Sequence, residues 1–244
     1  MLTDRGARLA LSFVVVAALA TPSVATAQTM DSQLHGFALA DRLEVAPNRE
    51  GTPITLDAIG WYGGDVNRAW VRAEADQETE SSSGEGELEL FYGRLVSPYW
   101  DALVGVRVDQ LWGGKRETRA HLALGLEGVA PHWFELEPTL YVSHEGHVSA
   151  QLEAEYELLF TQRVVLQPRF EISAAANDDP EFGVGAGIGD VEFGARLRYE
   201  IVREFAPYMG VSWHRLVGNT ADLARSVGED VSNLSVVVGV RAWY

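Results

Sequence analysis

The chain has 244 residues, no cysteine and a formal net charge of −16. Without cysteine it has no disulfides and no thiolate metal ligands. So acidic a balance disfavours nucleic acid as a partner; it suits a protein that handles cations, or simply one with an acidic surface.

At the N-terminus, Arg5 and Arg8 precede the apolar run Leu9 to Ala20, and Ala25-Thr26-Ala27 supplies a small-x-small cleavage pattern. This predicts an export signal over 1–27; the run is too short to span a membrane comfortably. Cleavage before Gln28 leaves about 217 of the 244 residues, opening with a short extension over 28–34. No later apolar stretch is long enough for a transmembrane helix. An exported chain of this kind is either soluble or a barrel in an outer membrane. Mean hydropathy near zero does not separate the two, because barrel strands hide their apolar residues among polar ones.

From Phe37 onward, short alternating runs divided by turn residues predict strands near 35–46, 54–62, 67–76, 86–96, 99–111 and 117–129. Six more follow near 134–144, 147–160, 163–175, 189–201, 206–217 and 232–244. In 117–129, Leu122, Leu124 and Leu126 face one way and His121, Ala123, Gly125 and Glu127 the other. In 147–160, Ala150, Leu152, Ala154, Tyr156 and Leu158 oppose Gln151, Glu153, Glu155 and Glu157. The final run sets Leu234, Val236, Val238, Val240, Ala242 and the terminal Tyr244 on one face, with Ser235, Gly239 and Arg241 on the other. A period of two is the strand period. A wholly apolar face suits either a sandwich core or lipid.

Small residues on the polar face (Gly105, Ala123, Gly125, Gly194, Gly210, Gly239) favour the barrel, since a lumen must make room for long side chains. Short turns at Ser97-Pro98, Ala130-Pro131, Thr161-Gln162 and Arg203-Glu204 alternate with longer polar connections at 77–85, 176–188 and 217–231. That asymmetry is the pattern of periplasmic turns and external loops. Aromatics near the short turns (Trp61, Tyr62, Tyr99, Trp100, Trp133, Phe134, Phe160, Phe205, Tyr208) are expected to form an interfacial girdle. The expected fold is all-β: an antiparallel transmembrane β-barrel over 35–244, in the outer membrane of a Gram-negative-type bacterium. Twelve strands put both termini in the periplasm; eight or ten remain alternatives, the first two strands having the weakest patterns.

Counting back from the last strand makes 144–148 an external turn and places an acidic belt in the periplasmic half of the lumen. With inward residues opposed across that hairpin, Glu135 and Glu137 are expected across from Glu157 and Glu155, with Glu127 alongside. Like charges so opposed destabilise a sheet, so one partner stays protonated, or Arg169, Arg198, Arg196 or Arg107 neutralises the belt, or a cation binds. A lumen plugged and stiffened by a Glu–Arg network is the structural alternative to a cation path.

Six histidines remain. His144-Glu145-Gly146-His147 places two imidazoles and a carboxylate on one external turn, donors that Cu(II) and Zn(II) accept; an exposed polar turn is the simpler account of them. His121 and His214 are expected to point into the lumen, as hydrogen-bonded histidines or as ligands beside the belt. Past the signal peptide only Met30 and Met209 remain, so a thioether cage for Cu(I) cannot be assembled. The run Gly183 to Gly189 precedes a strand rather than a helix and reads as an external loop, not a phosphate cradle. Ser212 and His214 lie two residues apart without an orienting partner, and no enzyme is expected.

Several stretches together resemble the copper resistance protein B family of outer-membrane proteins. They are Trp61-Tyr62-Gly63-Gly64-Asp65-Val66-Asn67-Arg68-Ala69-Trp70, Ser97-Pro98-Tyr99-Trp100-Asp101, Ala130-Pro131-His132-Trp133-Phe134 and Glu153-Ala154-Glu155-Tyr156. Leu166-Gln167-Pro168-Arg169, Arg198-Tyr199-Glu200 and Arg203-Glu204-Phe205-Ala206-Pro207-Tyr208 continue the likeness. The resemblance implies a barrel acting in copper tolerance, by binding copper or passing it across the outer membrane. Its implied partners are membrane lipid, copper ions and a periplasmic copper protein. Members often carry a Met- and His-rich segment ahead of the barrel; here that interval is about Gln28 to Gln33. Copper ligands are then expected from the barrel, as oxygen and imidazole, which points to Cu(II).

Overall fold

The computed structural model describes residues 33–47, 52–79, 83–113 and 116–244. The expected signal peptide (1–27), and all but the last two residues of the expected extension (28–34), lie outside the described residues.

Twelve antiparallel strands close into a barrel. They are β1 (His35–Val45), β2 (Ile54–Gly63), β3 (Asn67–Gln77), β4 (Gly84–Ser97), β5 (Trp100–Trp112) and β6 (Thr118–Ala130). Then come β7 (Phe134–Ser143), β8 (Val148–Glu155, resuming at Leu158–Leu159), β9 (Val164–Ala175), β10 (Gly187–Tyr199), β11 (Phe205–Leu216) and β12 (Ser232–Trp243). Each strand pairs with the next, and β1 closes on β12. At that seam Ala38 and Tyr244 exchange backbone bonds of 2.9 and 2.8 Å, so the terminal aromatic completes the wall.

The alternation resolves the choice left open by the sequence. Leu122, Leu124 and Leu126, Val104, Val106 and Val108, and Leu234, Val236 and Val238 are all exposed on the outside. Arg42, Glu44, Glu89, Asp109, Arg169, Arg196 and Arg198 are buried inside. A sandwich in water would invert this, since transferring each such apolar side chain out of water gains about 1.5–3 kcal/mol. The apolar wall is therefore a lipid-facing surface.

Parity corrects part of the expected girdle. Tyr62 faces out, so its neighbour Trp61 faces in, with ring centroids 6.1 Å from Trp70 and 6.3 Å from Phe37. Pro207 and Met209 likewise flank a buried Tyr208, whose hydroxyl donates to Glu44 at 2.9 Å. The glycines make the room expected of them: a Cβ on Gly194 would sit 2.5 Å from Arg196 Nη1, and one on Gly239 would sit 2.6 Å from the Tyr208 hydroxyl.

Two irregularities matter for the lumen. A bulge in β1 after Ala40 shifts the register and turns the consecutive residues Asp41 and Arg42 both inward, where they bind Arg241 and Asp57. Strict alternation would have left one of those charges in lipid. β8 is interrupted at residues 156 and 157 opposite Pro168 of β9, which has no amide hydrogen to give the ladder.

The external loop 217–231 contains a helix, α1 (Gly218–Val227), that the sequence reading did not anticipate. Its C-cap is Gly228 at φ 86°, whose amide donates back to the last turn. Thr220, Ala221 and Ala224 are its buried face. The glycine run 183–189 lies against it: Gly185 N–H donates to Thr220 Oγ1 at 2.9 Å. A Cβ on Gly185 would stand 2.4 Å from the Thr220 amide nitrogen, which explains the glycine there.

Candidate functional site

The lumen holds two chambers. The external one, about 1000 Å³, is roofed by the 180–184 segment and α1. The periplasmic one, about 330 Å³, is lined among the described residues by ten carboxylates against four arginines and by no histidine. Glu74, Glu87, Arg107, Tyr141 and Gln151 line both and mark the level where they meet.

The acidic belt lies in the periplasmic chamber, but its pairing is shifted by two residues from the expected one. Glu135 stands directly opposite Glu155, and Glu137 opposite Glu153; Glu157 falls in the interruption of β8, outside the ladder. The turn causes the shift. Ser143 N–H donates to His147 O at 2.8 Å, and Ser143 Oγ accepts from His147 N–H at 3.0 Å. Gly146 at φ +90° completes a five-residue connection ending at the Val142–Val148 pair. Across β5 and β6, Asp101 opposes Glu127, bringing a further carboxylate to the belt.

Arginines neutralise most of these groups. Arg72 Nη2 donates to Glu127 at 2.7 Å and lies 2.8 Å from Glu137. Arg169 Nη2 donates to Glu153 at 2.6 Å, and Arg169 Nε lies 3.9 Å from Glu155. Glu155 also accepts from Gln167 at 2.7 Å, and Glu157 from Arg198 at 2.6 Å. Of the arginines expected at the belt, Arg196 forms a bidentate pair with Glu44 at 2.7 and 2.9 Å. Arg107 binds Glu87 and Asp109. Glu135 is exposed at the periplasmic mouth with no ion pair among the described residues. Arg72, Glu153 and Asp101 are the belt members that the sequence reading did not assign to the belt, although strand parity from Trp70, Glu155 and Leu103 respectively places them inward.

The histidines sit elsewhere. His121 is buried in the external half, its Nε2 2.9 Å from Asp109 and its ring edge-on to Tyr141 at 6.0 Å. Six residues of β6, about 20 Å at 3.3–3.4 Å per residue, separate it from Glu127. His147 Nδ1 lies 3.0 Å from Asp179, which also binds Arg119. Phe182 lies under that Arg119 guanidinium at 3.9 Å. His214 Nε2 lies 2.5 Å from Asp190, at the edge of the external chamber. His144 is exposed, 3.9 Å from Glu145. The structure thus brings Glu127, Glu135, Glu137 and Glu155 together, with Glu157 at their edge. It keeps His121, His144, His147 and His214 apart from them. Among the described residues, no three His, Asp or Glu side chains are gathered in metal-site geometry. Ser212 donates to Glu192 at 2.8 Å, so Ser212 and His214 are each engaged with an acid.

An apolar exterior around a charged interior with open chambers is the construction of an outer-membrane β-barrel protein, and the chain is one. Its backbone resembles the solved NanC porin (TM-score 0.53, 12% identical, covering 85% of this chain and 99% of that one). It also resembles the KdgM porin (TM-score 0.50, 10% identical, covering 85% and 98%); at such identities the likeness concerns the fold alone. The family model for the copper resistance protein B precursor matches residues 34–244, and the chain belongs to that family. The "Copper resistance protein B homolog" of Pseudomonas syringae pv. tomato is 40% identical over 217 residues, 89% of this chain and 72% of that protein. "Copper resistance protein B" of Escherichia coli is 38% identical over 217 residues, 88% and 71% of the two chains. Membership supports a role in copper resistance at the outer membrane.

Proposed function

We propose that the barrel takes divalent copper into its periplasmic chamber and passes it across the outer membrane. The observation that carries this reading is the excess of ten carboxylates over four arginines around that cavity. A low-dielectric wall focuses such a field and concentrates cations. The donors it offers are carboxylate, hydroxyl and amide oxygens, hard ligands that admit Cu(II) and other divalent ions rather than Cu(I). Met209 is exposed on the outer wall, so it is not placed to add a thioether to the lumen. The stretches that carry the family resemblance, from 61–70 to 203–208, lie at the periplasmic turns or in the strand ends beside them. A periplasmic copper protein exchanging the ion at that mouth fits this placement. The chain is read as a non-enzymatic protein.

Copper sensitivity of a deletion strain tests the proposal. Wild-type protein should restore tolerance, and the variant E127Q/E135Q/E137Q/E155Q, inserted at the same level, should not. Full rescue by the variant overturns the reading. The second reading, a structural or adhesive barrel without transport, is favoured by the pairing of most belt glutamates with arginine. It predicts that neither deletion nor variant changes copper tolerance.

A further inference from the structure

Where the two chambers meet, one chain of charged contacts crosses the lumen. Glu74 accepts from Arg42 at 2.6 Å, and Arg42 Nε donates to Asp57 at 3.0 Å. Asp57 also accepts from Arg169 Nη1 at 3.0 Å. Arg169 Nη2 donates onward to Glu153 and Glu171 at 2.6 and 3.2 Å. Gln151 joins Glu171 at 2.6 Å and accepts from Arg107 at 3.3 Å.

The Asp57–Arg169 contact differs in kind from its neighbours. It links β2 to β9, which stand five strands apart by one path around the wall and seven by the other. It is a strut close to a diameter, whereas pairs such as Arg241–Asp41 join adjacent strands. Arg169 is 3% exposed and occupies the centre of a ring formed by Asp57, Glu153, Glu155 and Glu171. A cation on its way between the chambers would be held by the same oxygens that the guanidinium now occupies.

We propose that Arg169 is the residue that decides passage: a tethered cation that blocks the lumen while bound to Asp57 and opens it on leaving. An alternative anchorage is already present. Arg169 Nε is buried without a hydrogen-bond partner among the described residues and stands 3.9 Å from Glu155. Turning toward Glu155 gives that nitrogen a partner while releasing Asp57 to Arg42. In that move the side chain exchanges one charged contact for another rather than losing it. The inference goes beyond the copper reading and does not need it, since the strut would control any small cation.

Planar-bilayer recordings of the purified outer-membrane protein in KCl, without copper in any arm, test it. Wild-type protein should show small, intermittent currents. R169M should conduct roughly threefold more or better, with a reversal potential shifted toward K⁺ selectivity as the carboxylates lose their internal counter-charge. R169K, which keeps the charge, should stay near wild type. D57N cuts the strut but leaves Glu153 and Glu171 as anchors, and should give an intermediate rise. R169M with wild-type conductance and selectivity overturns the proposal. If R169M does not insert, unchanged conductance in D57N overturns it equally. Because copper is absent, a failed copper reading leaves these outcomes unaffected.

Discussion

In the external half of the lumen, three aspartates each hold a histidine, Asp109 with His121, Asp179 with His147 and Asp190 with His214, and Asp109 and Asp179 hold arginine as well. Acids face acids across adjacent strands in both halves, as Glu87 against Asp109 externally and Asp101 against Glu127, Glu135 against Glu155 and Glu137 against Glu153 in the periplasmic half, where no histidine among the described residues lines the cavity. A few arginines hold that half together. The same residue type therefore does two different things. An aspartate matched to an imidazole fixes a side chain and braces a loop. A carboxylate left in excess over its counter-ions makes a field that a cation can answer.

The largest effect should come from Arg72, which holds Glu127 and Glu137 together. Removing one partner of a buried ionic group typically costs about 3–5 kcal/mol, so R72M should unfold at clearly lower urea in lipid vesicles. R72M/E137Q should recover much of the loss; if it does not, repulsion in the belt is not what Arg72 relieves.

Next comes copper affinity. By calorimetry, E127Q/E137Q/E153Q should weaken Cu(II) binding by roughly tenfold, about 1.4 kcal/mol, while H121N/H214N should stay close to wild type. The comparison breaks if the histidine variant carries the loss. Smaller again is H147A. Its imidazole is partly exposed, and Asp179 keeps Arg119, so about 0.5–1 kcal/mol is expected. The sharper readout is faster protease cleavage within 176–186. The exposed His144 should matter least: H144A should fall within about 0.5 kcal/mol of wild type, and a larger change would mean that the turn holds more than its own shape.

Much of the wall was legible from residue order. The strands near 117–129, 189–201 and 232–244 follow from clean alternation, and the short turns at Ser97-Pro98 and Arg203-Glu204 mark the periplasmic side. The first strand was hard to read because its bulge puts Asp41 and Arg42 on the same side, breaking the period on which the reading depends. The belt was legible as a set of inward glutamates but not in its pairing. The five-residue turn at 143–147 moved Glu137 from Glu155 to Glu153. Helix α1 left little signal in a loop of small and polar residues; its amphipathic face has meaning only against Gly185 and the β10 edge.

By itself the sequence determined which side of the wall most strand residues face, the bulge at Asp41 and Arg42 aside, because side-chain direction in a strand is a local property of a two-residue repeat. That was enough for a barrel with lipid outside and charge within. Only the tertiary structure decided which charges meet. Asp57 and Arg169 are 112 residues apart in the chain, and their contact depends on the register of every hairpin between them. Register accumulates around a closed sheet and cannot be read from any one strand.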